Sequence, residues 1–200
     1  MMDRIWEQLM KIAESSNGFI RTAQVEEAGL SRMHLGQYVN AGRLERIAKG
    51  LYVPIDGETD EYALLQARSS KAVYSYGTAL FFWGLSDRTP HVLDLTVPQG
   101  TNMTKIKRDN PDVRIHYVMP EIYGLGLAAT KSPQGGTISL YDKERCICDL
   151  IRAKAQMDLQ LYTQALKDYF KNHTNSRKLL KYGKQLGIEE QIRTYMEVLM

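Results

Sequence analysis

The chain has little of what marks secreted, membrane-bound or disordered proteins. It holds only two cysteines in 200 residues, Cys146 and Cys148. Two positions apart on a predicted helix, they point to different faces and are poorly placed to bridge each other or to share a metal. Reduced structural thiols of an intracellular protein are the expectation. No apolar run approaches the roughly 18–20 residues that span a bilayer. The opening stretch MMDRIWEQLM has early acids and a helical pattern where a signal peptide would have an apolar core. A cytoplasmic location with no membrane partner follows as the expectation. A large charge excess is also missing, since the formal net charge is +3. That is too small to argue for nucleic-acid binding by itself, and too small, beside 44% apolar residues, for a disordered chain.

Enzyme motifs are scarce as well. No Gly-Ser dipeptide occurs, so the nucleotidyltransferase turn with its paired aspartates is missing, and Asp94-Leu95-Thr96 lacks a second carboxylate. Glu144-Arg145-Cys146 does not supply the acidic-x-Lys pair of a restriction-type nuclease. The histidines, His34, His91, His116 and His173, are scattered without metal-ligand spacing. No phosphate-binding loop, dinucleotide fingerprint or nucleophile elbow is present. The expectation is a protein that is not an enzyme, with no catalytic residue, no metal and no cofactor.

What is present is concentrated at the N-terminus. Residues 3–15 read as a helix with Ile5, Leu9 and Ile12 on one stripe. Ser16-Asn17-Gly18 stops it, and Phe19-Ile20 is a short extended piece. Thr22 is a suitable N-cap for a second helix, and Ala28-Gly29-Leu30 makes a tight turn. Ser31 caps a third helix that runs to about Ala41 and ends at Gly42. Two short helices joined by a glycine turn form a helix-turn-helix. Leu44, Ile47, Leu51 and Val53 then suit two strands, with Lys49-Gly50 as the hairpin tip, which makes a wing.

In the third helix Leu35, Tyr38, Val39 and Gly42 fall at i, i+3, i+4 and i+7, the buried stripe, with His34 packing beside it. The opposite face carries Arg32, Met33, Gly36, Gln37 and Asn40. Arg32 and Gln37 suit guanine and adenine edges in the major groove. Residues at the helix start, Ser31, Arg32 and Met33, usually reach the bases. An outward Gly36 costs the helix about 1 kcal/mol relative to alanine, and close approach to a sugar-phosphate edge is one use for it. Arg21, Thr22, Arg43, Arg46 and Lys49 are better placed for phosphates or the minor groove. Double-stranded DNA is therefore the expected partner of residues 1–54.

The remainder, 55–200, reads as a second domain. An amphipathic helix at 59–71 is followed by the apolar helix from Tyr76 to Leu85. Strands are expected at 91–97, 113–118 and 137–140, and the Gly124–Gly136 stretch is loop-like with a short strand at its start. Helices return at about 142–155, 158–171, 175–185 and 188–199. The fold class is thus α+β: an N-terminal winged helix-turn-helix, then an α+β domain with a small sheet and a helical C-terminal part. Two basic clusters, Lys105, Lys107, Arg108 and Arg114, and Arg177, Lys178, Lys181 and Lys184, are candidates for a secondary nucleic-acid surface, against the simpler reading of a solvated face.

Taken together, the run Gly29-Leu30-Ser31-Arg32, then Gly42-Arg43-Leu44-Glu45-Arg46-Ile47, then Lys49-Gly50-Leu51-Tyr52-Val53 resembles the winged-helix head of the AbiEi family of antitoxins. Tyr76-Gly77-Thr78-Ala79-Leu80, Trp83-Gly84-Leu85, Asp94-Leu95-Thr96-Val97-Pro98 and Glu144 to Arg152 are similar to the later segments of that family. The resemblance implies an antitoxin of a type IV, phage-aborting system that also represses its own operon by binding inverted repeats in the promoter. It further implies a functional antagonist, a toxin of nucleotidyltransferase type, with which no stable complex is required. The alternative is a plain winged-helix regulator whose second domain senses a ligand or mediates dimerisation.

Overall fold

The structure, a computed structural model, describes residues 2–57, 60–172 and 175–200, with Met2 and Asp3 described by backbone alone. His173, and residue 59 at the start of the helix expected over 59–71, lie outside the described residues. The chain forms two compact units, residues 1–70 with 131–138, and residues 71–130 with 139–200. The first unit therefore continues past residue 54 and takes in a distant segment. It is α+β throughout, as the sequence indicates.

The first unit opens with α1 (Met2–Ser15), β1 (Ile20–Arg21), α2 (Thr22–Glu27) and α3 (Met33–Asn40). The hairpin β2 (Leu44–Ala48) and β3 (Leu51–Pro54) follows, then α4 (Glu61–Ala67). Strand β3 lies between β1 and β2 and is antiparallel to both. The core under these elements is Leu9, Ala13, Ile20, Val25, Leu35, Tyr38 and Leu44, with Ile5, Trp6, Met10 and Ile12 of α1 packed against it. The apolar stripe read from α1 is thus the face that closes the helix-turn-helix from beneath. Truncating a buried leucine such as Leu35 in a core of this kind costs about 2–5 kcal/mol.

Local chemistry sets the boundaries. Helix α2 begins one residue earlier in role than expected: Arg21 is its N-cap, and its backbone N–H donates to Gln24 Oε1 at 3.0 Å. Thr22 is the first helical residue instead, and its own N–H, free of any helical partner, donates to the Gly50 carbonyl at 3.0 Å. The turn between α2 and α3 needs φ near +75° at Gly29, which is cheap only without a Cβ. At the end of α3 the Arg43 N–H returns to the Tyr38 carbonyl at 2.9 Å and satisfies an orphan acceptor of the last turn.

Asp60 holds the rest of this unit together. Its buried carboxylate caps α4 through the Tyr62 and Ala63 N–H groups, both at 3.0 Å. It also accepts from the Ser132 hydroxyl and from the Gly136 N–H. Asn17 adds a reciprocal pair, its Nδ2 to the Thr137 carbonyl and the Thr137 N–H to its Oδ1, each at 3.1 Å.

The second unit is built on a sheet of five strands. Its elements are β4 (Val73–Tyr74), α5 (Tyr76–Phe82), β5 (Leu93–Pro98), α6 (Thr104–Asp109), β6 (Val113–Val118), α7 (Pro120–Tyr123), and most of β7 (Leu127–Lys131) and β8 (Thr137–Tyr141), whose Lys131 and Thr137–Ile138 fall in the first unit. Helices α8 (Lys143–Arg152), α9 (Leu159–Asn172), α10 (Ser176–Leu186) and α11 (Glu189–Leu199) complete it. The strand order is β6-β5-β4-β8-β7, with β5 parallel to β6, and β4 antiparallel to β5 and parallel to β8. Leu95, Val97 and Leu140 of the sheet, Ile147 and Leu150 of α8, and Leu179 of α10 are buried in this unit. Among the described residues no helix is long and apolar enough to cross a membrane.

Candidate nucleic-acid interface

Helix α3 is divided by burial, although Val39 is only half-buried and Gly42, expected on the buried stripe, is exposed beyond the helix end, where it turns the chain with φ +67°. Leu35 and Tyr38 are sealed, with 1% and 2% of their surface exposed. Ser31, Arg32, Met33, Gly36, Gln37 and Asn40 are all exposed, and Met33 keeps 67% of its surface. Ser31 Oγ accepts the Met33 N–H at 3.3 Å, and Arg32 already has helical dihedrals, so the serine does cap the helix start. The remaining first-turn N–H groups and the positive end of the helix dipole lie beside Arg32. His34 is half-buried, and its Nδ1 lies 3.2 Å from Gln37 Oε1. That contact orients the Gln37 amide on the helix surface. A Cβ on Gly36 would meet nothing within 4 Å, so no contact inside the protein requires glycine there.

The wing and the preceding strand place the other cations. Lys49 is exposed at the hairpin tip, where Gly50 has φ +71° and a Cβ on it would come 3.3 Å from Thr22 Oγ1. Arg46 is exposed on β2 next to a bulge, with its Nε 3.4 Å from the Ala48 carbonyl. Arg21 directs both terminal nitrogens at the Ala67 carbonyl, at 3.4 Å, at the end of α4. Arg43 is different. Its guanidinium is half-buried over the Trp6 ring, 4.1 Å from the centroid, so it seals the aromatic edge of the core.

Residues 7–55 match the family model described as transcriptional regulator, AbiEi antitoxin. The matched stretch is the helix-turn-helix with its wing, and this family is one of regulators and antitoxins, not a class of enzymes. A search of curated proteins gave no match. Among solved structures, the RV2827C protein from Mycobacterium tuberculosis is similar with a TM-score of 0.59 and 16% identity, over 88% of this chain and 69% of that one. At that identity the likeness is one of fold. The AbiEi-like head and its outward α3 face thus coincide in sequence and in position.

The basic clusters outside the head fare unequally. Lys105 and Lys107 of α6 are exposed, and Arg108 is exposed beside Asp109, 3.0 Å away. Arg114 lies 3.7 Å from the buried Asp94. On α10, Arg177, Lys181 and Lys184 are exposed at i, i+4 and i+7, one stripe of the helix. Lys178 is engaged elsewhere, with Asp142 at 3.0 Å and Glu144 at 2.9 Å. Burial works to lower the pKa of its ammonium, but hydrogen bonds to the two carboxylates outweigh that and raise it.

The second unit also contains a polar cluster that sequence reasoning missed. Asp94 Oδ1 lies 2.8 Å from His116 Nε2, across the paired strands β5 and β6. The His116 ring stacks on Tyr76, centroids 4.1 Å apart, and Tyr76 has φ +44°, a strained value for a residue with a Cβ. Nearby Arg145 is fully buried: its Nε donates to Asp149 Oδ2 at 2.9 Å, and its Nη1 to the Ile122 and Leu125 carbonyls. Burial raises the Asp149 pKa, opposed chiefly by Arg145. The available signal was a charged pair at i, i+4, Arg145 and Asp149, flanking the apolar Cys146, Ile147 and Cys148. Both cysteines are buried and unbridged, and burial pushes the Cys148 thiol up to about 12.

Proposed function

We propose that this protein binds double-stranded DNA through the outward face of α3 and the β2–β3 wing, and that it represses its own operon at inverted repeats in the promoter. The single observation that carries the DNA reading is that Ser31, Arg32, Met33, Gly36, Gln37 and Asn40, at the start of α3 and along it, are all exposed while Leu35 and Tyr38 are buried. Ser31, Arg32 and Met33, near the helix start, enter the major groove first, and Gln37 reads an adenine edge. Lys49, Arg46 and Arg21, with the Thr22 segment, meet phosphates. Arg43 contributes through the packing of Trp6. Within the second unit, the exposed cations of α6 and the α10 stripe of Arg177, Lys181 and Lys184 form a separate candidate nucleic-acid surface.

The antitoxin half of the proposal is supported by the AbiEi match of the head. In this reading residues 1–54 act on DNA, and residues 55–200 carry antagonism of a nucleotidyltransferase-type toxin without a stable complex. The test is co-expression with a nucleotidyltransferase-type toxin, together with a binding titration on the promoter fragment. Rescue of growth and saturable promoter binding are expected. Growth arrest that is the same with and without this chain defeats the antitoxin role. Promoter affinity that survives deletion of residues 1–54 defeats the winged-helix role.

A further inference from the structure

The second unit has an open groove of about 730 Å³ where the end of α8, the start of α9 and α11 meet. That volume lies in the range of small-molecule sites, about 300–1,000 Å³. One wall is apolar, formed by Ile151, Met157 and Leu159. The other is formed by Gln191, Thr194 and Tyr195, which share one face of α11. Two cations, Arg152 and Lys154, line the groove, and among the described residues no carboxylate does.

Arg152 is held in place but keeps its donors unused. Its Nη1 lies 3.8 Å from Asp149 Oδ1, an ion pair too long for a hydrogen bond. That oxygen is buried and has no hydrogen-bond partner among the described residues. The carboxylate therefore fixes where the guanidinium sits without occupying its N–H groups. Arg152 makes no hydrogen bond among the described residues, and the carbonyl end of α8 favours a cation there. Lys154 likewise pairs with no acid among the described residues, and its ammonium sits 5.7 Å from the centroid of the Tyr162 ring. Tyr195 is fixed by a 2.5 Å contact between its hydroxyl and that of Tyr162. Leu159 keeps 73% of its surface exposed beside these cations.

We propose that this groove binds a small organic phosphate, its phosphoryl group held by Arg152 and Lys154 and its apolar or aromatic body lying against Met157, Leu159 and Tyr195. The site shares no residue with the DNA-binding face, so the two proposals stand or fall separately. Nucleotides and alkyl phosphates both have this chemistry, and titration calorimetry of the full chain separates them. The probes are adenosine 5′-monophosphate, octyl phosphate and inorganic phosphate. One of the organic phosphates is expected to bind saturably, and at least about tenfold more tightly than inorganic phosphate. The tighter of the two identifies the source of the body. Lys154→Ala and Leu159→Asp change exposed side chains and leave the fold intact; each should weaken binding about tenfold. Arg152→Gln should do the same, with its melting temperature measured alongside because Asp149 lies behind it. The proposal is overturned if neither organic phosphate binds at millimolar concentration, if inorganic phosphate binds equally well, or if Lys154→Ala and Leu159→Asp leave the affinity unchanged.

Discussion

The Arg43 guanidinium stacks on the Trp6 ring, 4.1 Å from its centroid, and stands 5.7 Å from that of Tyr38, which itself packs on Trp6 at 5.1 Å. An arginine that sequence position assigned to phosphates thus belongs to the aromatic edge of the head. Arg43→Ala should destabilise the head by about 1–2 kcal/mol through the lost cation–π contact and the packing of its stem. Thermal melting of the variant checks this. An unchanged melting temperature with reduced promoter affinity would return Arg43 to the DNA-contacting set.

Gly36 separates fold from function more sharply. A Cβ there meets nothing within 4 Å, and the residue sits in the middle of α3. Gly36→Ala should therefore stabilise the helix by about 0.5–1 kcal/mol. If the α3 face lies against a sugar-phosphate edge, the same methyl is pressed into the DNA and weakens binding by about 1–3 kcal/mol. Melting temperature up and promoter affinity down is the expected pair. A rise in stability with affinity unchanged removes the close approach at this position.

Arg32 and Lys49 should fail in different ways. Arg32 is exposed at the start of α3, and Lys49 at the wing tip. Arg32→Ala should cost the specific promoter about 1–3 kcal/mol while leaving random DNA nearly unaffected. Lys49→Ala should weaken both sequences alike and lower the salt slope by about one unit. Titrations at several salt concentrations on both DNAs distinguish these outcomes, and equal losses for Arg32→Ala on both would reduce it to a phosphate contact.

The head was legible because its signals are local. Leu35 and Tyr38 at helical spacing, Gly29 between two short helices, and Lys49-Gly50 between two β-rich runs each specify structure within a few residues, and each is found where those patterns place it. The second unit gave up its long amphipathic helices, α8 to α11, and the strand over 113–118 for the same reason. It did not disclose β4, α6, α7 or the full extent of β7. Two-residue β4 has no period to read, and its place beside β5 and β8 is set by long-range pairing. The Asp94–His116 contact joins residues 22 positions apart across two parallel strands. Along the sequence the two are only a lone carboxylate and a scattered histidine. Asp60, a helix cap that also gathers Ser132 and Gly136, was hidden in the same way.

Tyr76 supplies a test on the alkaline side. Burial, with the Asp149 charge adding and Arg152 and Arg145 opposing, pushes its hydroxyl from 10.0 up to about 12. The fold therefore keeps this phenol neutral in a range where the unfolded chain ionises it. For a group whose folded pKa is raised, the linked stability is fully present below the unfolded value and disappears as pH rises through the folded one. Stability should accordingly fall between pH 10 and about 12, with Tyr76 contributing up to roughly 2 kcal/mol of that loss. No hydrogen bond to the Tyr76 hydroxyl exists among the described residues, and a phenyl ring keeps the stack on His116. Tyr76→Phe should then melt like the parent at neutral pH and decline less steeply above pH 10. Burial also raises Tyr141, Tyr162, Tyr169, Tyr182, Cys146 and Cys148. Identical alkaline declines in the two proteins would assign the transition to those groups and remove Tyr76 from it.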